Sequence, residues 1–172
     1  MFRKRLLANN CTVEGSSLVA FHGQPFSSFP STDWIFFYSA KAAAYFQEGL
    51  QQAELEWPKH TKIATIGKGT ARWLQDKGIQ LHFVGTWNPV ETCQQFLEEA
   101  AQKKVLFPQA LNSKQSIEKL AGNNIQAEAL IVYQNHVKKE FKQHPADELT
   151  FTSPMNAQAY FGRYTKTDEQ KI

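Results

Sequence analysis

Short apolar runs alternate along this chain with segments whose apolar residues recur at helical spacing. Most of the runs are continuously apolar, as in WIFF at 34–37 and VLF at 105–107. Strands that are covered on both faces have this pattern, whereas the strands of a half-exposed antiparallel sheet alternate apolar with polar residues. Because strand, helix and strand in succession make a parallel crossover, the pattern predicts an α/β fold with parallel sheets flanked by helices.

The predicted strands span residues 17–21, 34–38, 62–66, 80–84, 104–107, 127–133 and 148–152. Helices are predicted between them from apolar stripes at helical spacing. The stripes are Ala43, Phe46, Leu50 and Ala53; Val90, Cys93, Leu97 and Ala100, which follow Pro89; and Ile117, Leu120 and Ala121, which precede Gly122. Residues 22–32 and 135–145 have no period and are predicted to be surface loops or passages between lobes.

Composition argues against several classes of protein. The 172 residues are 42% hydrophobic, enough to bury a core, and the net charge of +3 is too small for a nucleic-acid-binding block. Cys11 and Cys93 form no CxxC pair, which favours a reducing compartment. The basic start MFRKRLLANN lacks the apolar run of a signal peptide. We therefore predict a cytoplasmic protein that binds neither nucleic acid nor membranes.

The turn IGKGT, residues 66–70, joins a predicted strand to a predicted helix. Helix N-termini carry unsatisfied N–H groups and a partial positive charge, so they attract anions. In one interpretation Gly67 and Gly69 let the backbone approach an anionic ligand, and Thr70 offers it a hydroxyl. In the other, the glycines only permit a tight connection and Thr70 only caps the helix. The residues alone leave both interpretations open.

The segment DWIFFYSAKAAAYF, residues 33–46, is echoed by DELTFTSPMNAQAYF, residues 147–161. When Ser39 is aligned with Ser153, each copy reads as a strand that runs into a serine and then into a helix start of small residues. The echo predicts two similar α/β lobes. The sequence ends near the point where a second glycine strand would begin, so we expect the second lobe to be incomplete.

These elements, in this order, resemble the uroporphyrinogen-III synthase family. The resemblance covers the chain from about Phe2 to Ile172 and rests on FFYSAKA, IGKGTA, VLFPQ, VYQN and FTSPMNA. It implies two lobes joined by a pair of extended strands, with the active site between the lobes. By that pattern 19–134 form a complete α/β lobe, and 1–18 with 135–172 form a partial one. The chain departs from the family pattern near its start and at Ser39-Ala40, where the second copy has Ser-Pro.

The resemblance implies a lyase that closes hydroxymethylbilane, an open-chain tetrapyrrole with eight carboxylates, into uroporphyrinogen III with the last ring inverted. It implies a monomer that needs no metal or organic cofactor. The residues agree, since the chain has no HExxH, CxxC or P-loop and its histidines lack metal-ligand spacing. The alternatives are a non-catalytic α/β module that holds an anionic ligand, such as a nucleotide, and an inactive paralogue.

Tyr133, in VYQN, matches a family tyrosine that faces the cleft and is a candidate proton donor for loss of the hydroxyl. The alternative for this residue is a core or hinge tyrosine. The candidate substrate-binding residues lie at predicted strand ends and helix starts; they are Ser39, Lys41, Gly67, Lys68, Gly69, Thr70, Ser153 and Asn156. For the two lysines the alternative is simple solvation. Trp87, in the loop GTWNP, is predicted to pack under that loop rather than to cover the cleft.

Overall fold

The computed structural model describes residues 11–141 and 146–164. Its elements follow in chain order. They are strand β1 (Val19–Gly23), strand β2 (Trp34–Phe37), helix α1 (Ala40–Gln52), strand β3 (Lys62–Thr65), helix α2 (Lys68–Gln75), strand β4 (Phe83–Val84), helix α3 (Pro89–Ala100), strand β5 (Lys104–Ala110), helix α4 (Ser116–Ala121), a 3-10 turn (Gly122–Asn124), strand β6 (Gln126–Val137) and helix α5 (Pro154–Phe161).

The strands form one sheet in the order β1-β6-β5-β2-β3-β4. The pairs β2–β3, β2–β5, β3–β4 and β5–β6 are all parallel, which confirms the predicted α/β fold. From β2 the chain adds β3 and β4 on one side and then β5 and β6 on the other. The direction of winding therefore reverses between β2 and β5, and ligands of open α/β sheets bind beyond the carboxyl ends of the strands at such a point.

Both faces of this sheet are covered. Along β2, Trp34 and Phe36 pack toward α3 and α4, whereas Ile35 and Phe37 pack toward α1, and none of the four is more than 2% exposed. Phe96 of α3 fills the first core, and Phe46 of α1 fills the second. A strand that is buried on both faces has no polar positions, which is why the apolar runs predicted β2 correctly.

The described residues fall into two compact units: 21–135, and 11–20 together with 136–141 and 146–164. The boundaries lie inside β1 and β6. The second unit has a small core of its own around Leu18, Ala159 and Tyr160. Its chain segments are tied by a hydrogen bond from the Lys138 N–H to the Leu18 carbonyl. In the described ranges, no helix is long and apolar enough to cross a membrane.

Several predicted strands have different bounds in the structure. Strand β1 begins two residues later than predicted, β4 retains only Phe83–Val84, and β5 and β6 continue to Ala110 and Val137. The predicted loop at 135–145 is therefore wrong for its first three residues, and 142–145 lie outside the described residues. In the other aperiodic segment, Phe26 stacks on Phe46 of α1 at 5.6 Å, so that loop contributes to the core.

The strand predicted at 148–152 is wrong. Only Glu148 makes an isolated bridge there. Leu149 and Phe151 instead pack against the core of the second unit beside Tyr160. Their alternation with polar residues resembles that of a strand, but it results from a local apolar contact rather than from sheet pairing.

The apolar stripes predicted the helices but not every buried position. In α3, Cys93 and Ala100 are buried as expected, whereas Val90 is 51% exposed and Phe96 takes the core position. Pro89 occupies the first turn, and the Asn88 side chain accepts hydrogen bonds from the Val90 and Glu91 N–H groups. The position of Pro89 at the helix start was predicted correctly.

Candidate active site

Ser39 lies just beyond the carboxyl end of β2, at the point where the sheet reverses direction. It is the N-cap of α1, and its Oγ accepts the Ala42 N–H at 3.1 Å. Its extended backbone, with φ −157° and ψ 154°, is the usual N-cap conformation. The serine thus starts a helix at the sheet edge where ligands of this architecture bind.

The side chain of Ser39 lies close enough to the Tyr133 hydroxyl on β6 to influence its ionisation. Tyr133 is 9% exposed, and its ring stacks on Tyr45 of α1 with 5.1 Å between centroids. Burial raises the pKa of Tyr133, and the nearby Ser39 opposes this only in part. The phenol therefore keeps its proton at neutral pH and has a donor available.

Lys41, two residues after Ser39, is exposed. Its ammonium lies 3.6 Å from the centroid of the Phe21 ring, a cation–π contact. Phe21 in turn lies 6.1 Å from the ring of Tyr133. The structure thus brings three of the predicted site residues, Ser39, Lys41 and Tyr133, into one neighbourhood.

The glycine turn begins α2 beyond the carboxyl end of β3. The N-cap residue of α2 is Gly67, and no side chain caps the helix. The interpretation of Thr70 as the helix cap is therefore wrong. Thr70 is 2% exposed, whereas Lys68 and Gly69 are exposed. The first turn of α2 therefore presents Lys68 and the backbone of Gly69 at the surface and keeps Thr70 inside.

Trp87 covers this turn from the loop after β4. A Cβ on Gly67 would lie 2.5 Å from the indole Nε1 and Cδ1, and a Cβ on Gly69 would lie 3.5 Å from Cζ2. The Trp87 N–H donates to the Ile66 carbonyl at 2.9 Å, and its φ is +75°. The side chain is 59% exposed, so the prediction that it packs under its loop is wrong.

A second polar cluster follows β2 on the opposite face of the sheet. The Tyr38 hydroxyl is hydrogen-bonded to the Glu118 carboxylate and accepts the Ile117 N–H at 2.8 Å. Burial raises the pKa of Glu118, and burial together with the nearby carboxylate raises that of Tyr38. The Gln109 amide is 1% exposed beside Glu118, and neither of its polar atoms has a partner of hydrogen-bond geometry among the described atoms.

The remaining two candidates lie in the other unit. Ser153 caps α5 and accepts the Asn156 N–H at 3.2 Å with φ −150° and ψ 146°, the same arrangement as at Ser39. The Asn156 side chain donates to Ser153 Oγ at 3.0 Å and accepts the Leu18 N–H at 2.8 Å. The internal echo therefore holds for the serine cap and the helix start, although not for the strand before them.

Two further observations concern the described part of the chain. An open cavity of about 680 Å³ is lined by residues such as Trp57, Lys59 and His82, and no predicted site residue lines it. Among the described residues, no group of three or more His, Cys, Asp or Glu side chains is placed to hold a metal ion.

The sequence matches the family model "Uroporphyrinogen-III synthase HemD" over residues 21–171. The chain belongs to the uroporphyrinogen-III synthase family. Members of this family are lyases of tetrapyrrole synthesis. The sequence resemblance stated above is thereby confirmed, and no curated protein sequence matches the chain.

Solved uroporphyrinogen-III synthases share its fold. The enzyme from Helicobacter pylori matches with a TM-score of 0.67 at 22% identity, over 89% of this chain and 73% of that one. A mutant synthase from the extremely thermophilic bacterium Thermus thermophilus matches with a TM-score of 0.57 at 14% identity, over 80% of this chain and 58% of that one. At these identities the likeness shows the fold, and the chain spans less than two thirds of the second relative.

Sequence reasoning missed the cluster of Tyr38, Gln109 and Glu118 in this chain. Gln109 was detectable, because it continues the inward face of β5 that carries Val105 and Phe107 and is the one polar residue of that series. No local sequence pattern could predict the contact between Tyr38 and Glu118, because the two residues lie 80 positions apart in the chain.

Proposed function

We propose that this chain cyclises hydroxymethylbilane to uroporphyrinogen III with inversion of the last pyrrole ring. The observation that carries the proposal is the family match over residues 21–171. The position of Ser39 and Tyr133, at the carboxyl edge of a sheet that reverses direction beside them, supports a site at that edge.

Substrate binding falls to backbone amides and lysines. The first turn of α2 has no side-chain cap on its N–H groups, and helix N-termini of this kind bind carboxylates. Lys68 and Lys41 add positive charge beside the two helix starts. Ser39, Gly67 and Gly69 form the rest of this set, and Thr70, which is buried, supports the turn from inside. Ser153 and Asn156 are the candidates of the other unit.

Tyr133 assists the departure of the hydroxyl. The bond from carbon to oxygen breaks, the oxygen keeps the electron pair and takes up a proton from solvent, and it departs as water. The pyrrole N–H of the same ring gives its proton back to solvent, which leaves a neutral azafulvene that closes through a spiro intermediate. The phenol is protonated and donates a hydrogen bond to the leaving oxygen. Since a phenol is a weak acid, most of the acceleration comes from holding the flexible chain in one bent shape.

We also propose that the protein acts in the cytoplasm and as a monomer. The absence of a CxxC pair and the family precedent support these statements. Size-exclusion chromatography with light scattering tests the second, for which a single species near 19.6 kDa is expected.

A coupled assay tests the activity. Hydroxymethylbilane is generated in the cuvette, and the uroporphyrin isomers are separated after oxidation. The unaided substrate closes without inversion, so an active chain gives isomer III in excess. Isomer I alone, formed at the same rate as without protein, would reject the proposal and favour a binding module or an inactive paralogue.

A further inference from the structure

Trp87 is a large aromatic residue that is only partly covered by the rest of the protein. Its indole lies against Gly67 and Gly69 on one side, yet 59% of the side chain is exposed. The other tryptophans, Trp34, Trp57 and Trp73, all pack against the hydrophobic cores. Trp87 therefore keeps one aromatic surface in water at the carboxyl edge of the sheet.

The backbone of Trp87 is held in an unfavourable conformation. Its φ of +75° lies in the left-handed region, which a bulky side chain rarely adopts. The Trp87 N–H bond to the Ile66 carbonyl and the buried Gly85 two residues before it fix this turn. Strain of this kind persists only where the surrounding structure enforces it, and such residues cluster at ligand sites.

The indole is also kept in place from the opposite side. Gly67 has an extended backbone, with φ 177°, that any residue adopts, so its conformation does not require glycine. Its lack of a side chain does matter, because a Cβ would lie 2.5 Å from the indole. Gly67 thus leaves the space that the Trp87 indole occupies against the first turn of α2.

The start of α2, against which the indole packs, is positive. Lys68 is exposed on that turn, and the helix start adds the partial charge of its free N–H groups. Glu91 of α3 is an acidic group near residue 87, since it accepts the Thr86 hydroxyl at 2.9 Å. An aromatic face beside positive groups suits a ligand that combines aromatic rings with carboxylates.

We propose that the indole of Trp87 is a substrate-binding surface on which one pyrrole ring of the tetrapyrrole stacks while its carboxylates meet the start of α2. This inference rests on the proposed function and adds a residue to its binding site. Gly67 acts through Trp87 as a positioning residue, in addition to any contact that its own backbone makes.

Trp87→Asn removes the aromatic face, and asparagine tolerates a positive φ, so the variant should fold. We expect its KM for hydroxymethylbilane to rise about tenfold, equivalent to about 1.4 kcal/mol, with kcat within about twofold. Trp87→Phe keeps a ring and should stay within about threefold of the wild type. Leu120→Ala, which truncates an exposed apolar side chain on α4, is the matched control and should behave as the wild type.

Gly67→Ala forces the indole away without a change of residue 87. Alone it should raise the KM about as much as Trp87→Asn does. The double variant should be no worse than Trp87→Asn alone, because the indole is then already absent. Additive losses would show that Gly67 acts independently and would overturn its positioning role.

Binding of uroporphyrinogen III, under anaerobic reducing conditions and measured by isothermal titration calorimetry, separates the two proposals. A dissociation constant that rises about tenfold from wild type to Trp87→Asn supports the inference, whether or not isomer III is formed. Equal affinity in wild type and Trp87→Asn overturns it and leaves the proposed function standing. A wild type that neither binds the product nor forms isomer III rejects both.

Discussion

Burial raises the pKa of three side chains that flank the turn after β2: Tyr38, Glu118 and Tyr133. Tyr133 lies beside Ser39 on one face of the sheet, and Tyr38 is hydrogen-bonded to Glu118 on the other face. Burial shifts each of the three groups toward its protonated form. Tyr38 and Tyr133 are therefore neutral hydroxyl groups at this turn, and Glu118 ionises less readily than an exposed glutamate.

Tyr133→Phe tests the phenol. The ring packing is kept and one hydrogen bond is lost, so we expect kcat to fall about tenfold without being abolished. Because the pKa of Tyr133 is raised, the wild-type kcat should show no loss from its ionisation below about pH 10. Steady-state kinetics over pH provides the measurement, with Tyr45→Phe as the control that keeps the stacked ring.

A fall of more than about a thousandfold would show that Tyr133 is a full general acid. Unchanged kcat would assign the tyrosine to the core alone.

Glu118→Gln tests the second cluster through stability. In the folded chain Glu118 holds its proton more tightly than in the unfolded chain, so its contribution is fully present below pH 4.5. That contribution is lost as the pH rises through the higher folded pKa. The free energy of unfolding of the wild type should therefore fall over this interval by more than that of Glu118→Gln. Urea denaturation from about pH 4 to about pH 8 measures both, and parallel curves would contradict the prediction.

At the scale of elements, helices α1 and α5 both begin with a serine N-cap. Ser39 and Ser153 have matching backbone angles, and each accepts the N–H three residues later. The sequence predicted these helix starts because a serine before small residues is a local signal. It did not predict the position of Trp87 against Gly67, because that contact depends on the adjacency of β3 and β4 in the sheet.

Ser39→Ala and Ser39→Asp separate capping from binding. Alanine removes the cap and should lower the free energy of unfolding by about 1 kcal/mol. Aspartate restores an acceptor at the cap but places a negative charge where carboxylates are to bind, so stability should recover while the KM rises about tenfold. Denaturation and kinetics on both variants provide the test. Ser153→Ala is the matched loss of the other cap, and an unchanged KM in Ser39→Asp would contradict an anion site here.

At the scale of the whole molecule, the predictable part of the fold is the part that is buried on both faces. Strand β2 could be predicted without knowing its neighbours in the sheet, because a continuous apolar run indicates a strand covered on both faces. Segments that depend on distant partners were predicted less well. Strand β5 was predicted to end at Phe107, before Pro108, but it continues to Ala110. The last residue of β5 that pairs with β2 is Leu106, so the missing N–H of Pro108 removes no hydrogen bond to β2.

Amide exchange should follow this arrangement. Strand β2 is buried and paired on both sides, whereas β4 is a two-residue strand at the edge of the sheet. We expect the amides of Ile35, Phe36 and Phe37 to be among the slowest to exchange and those of Phe83 and Val84 to be the fastest in the parallel strands. Mass spectrometry of deuterium uptake resolves these peptides. Equal protection of β4 and β2 would contradict a core centred on β2.

The burial of Cys93 offers a way to time the opening of one core. Its thiol is 4% exposed between α3 and α4, its Sγ lies 4.0 Å from the Ile117 carbonyl, and burial raises its pKa, whereas Cys11 is exposed. A disulfide reagent should label Cys11 within seconds and Cys93 only when these helices separate. The rate of the slow labelling phase would then report how often α3 and α4 separate, without an engineered cysteine in the protein.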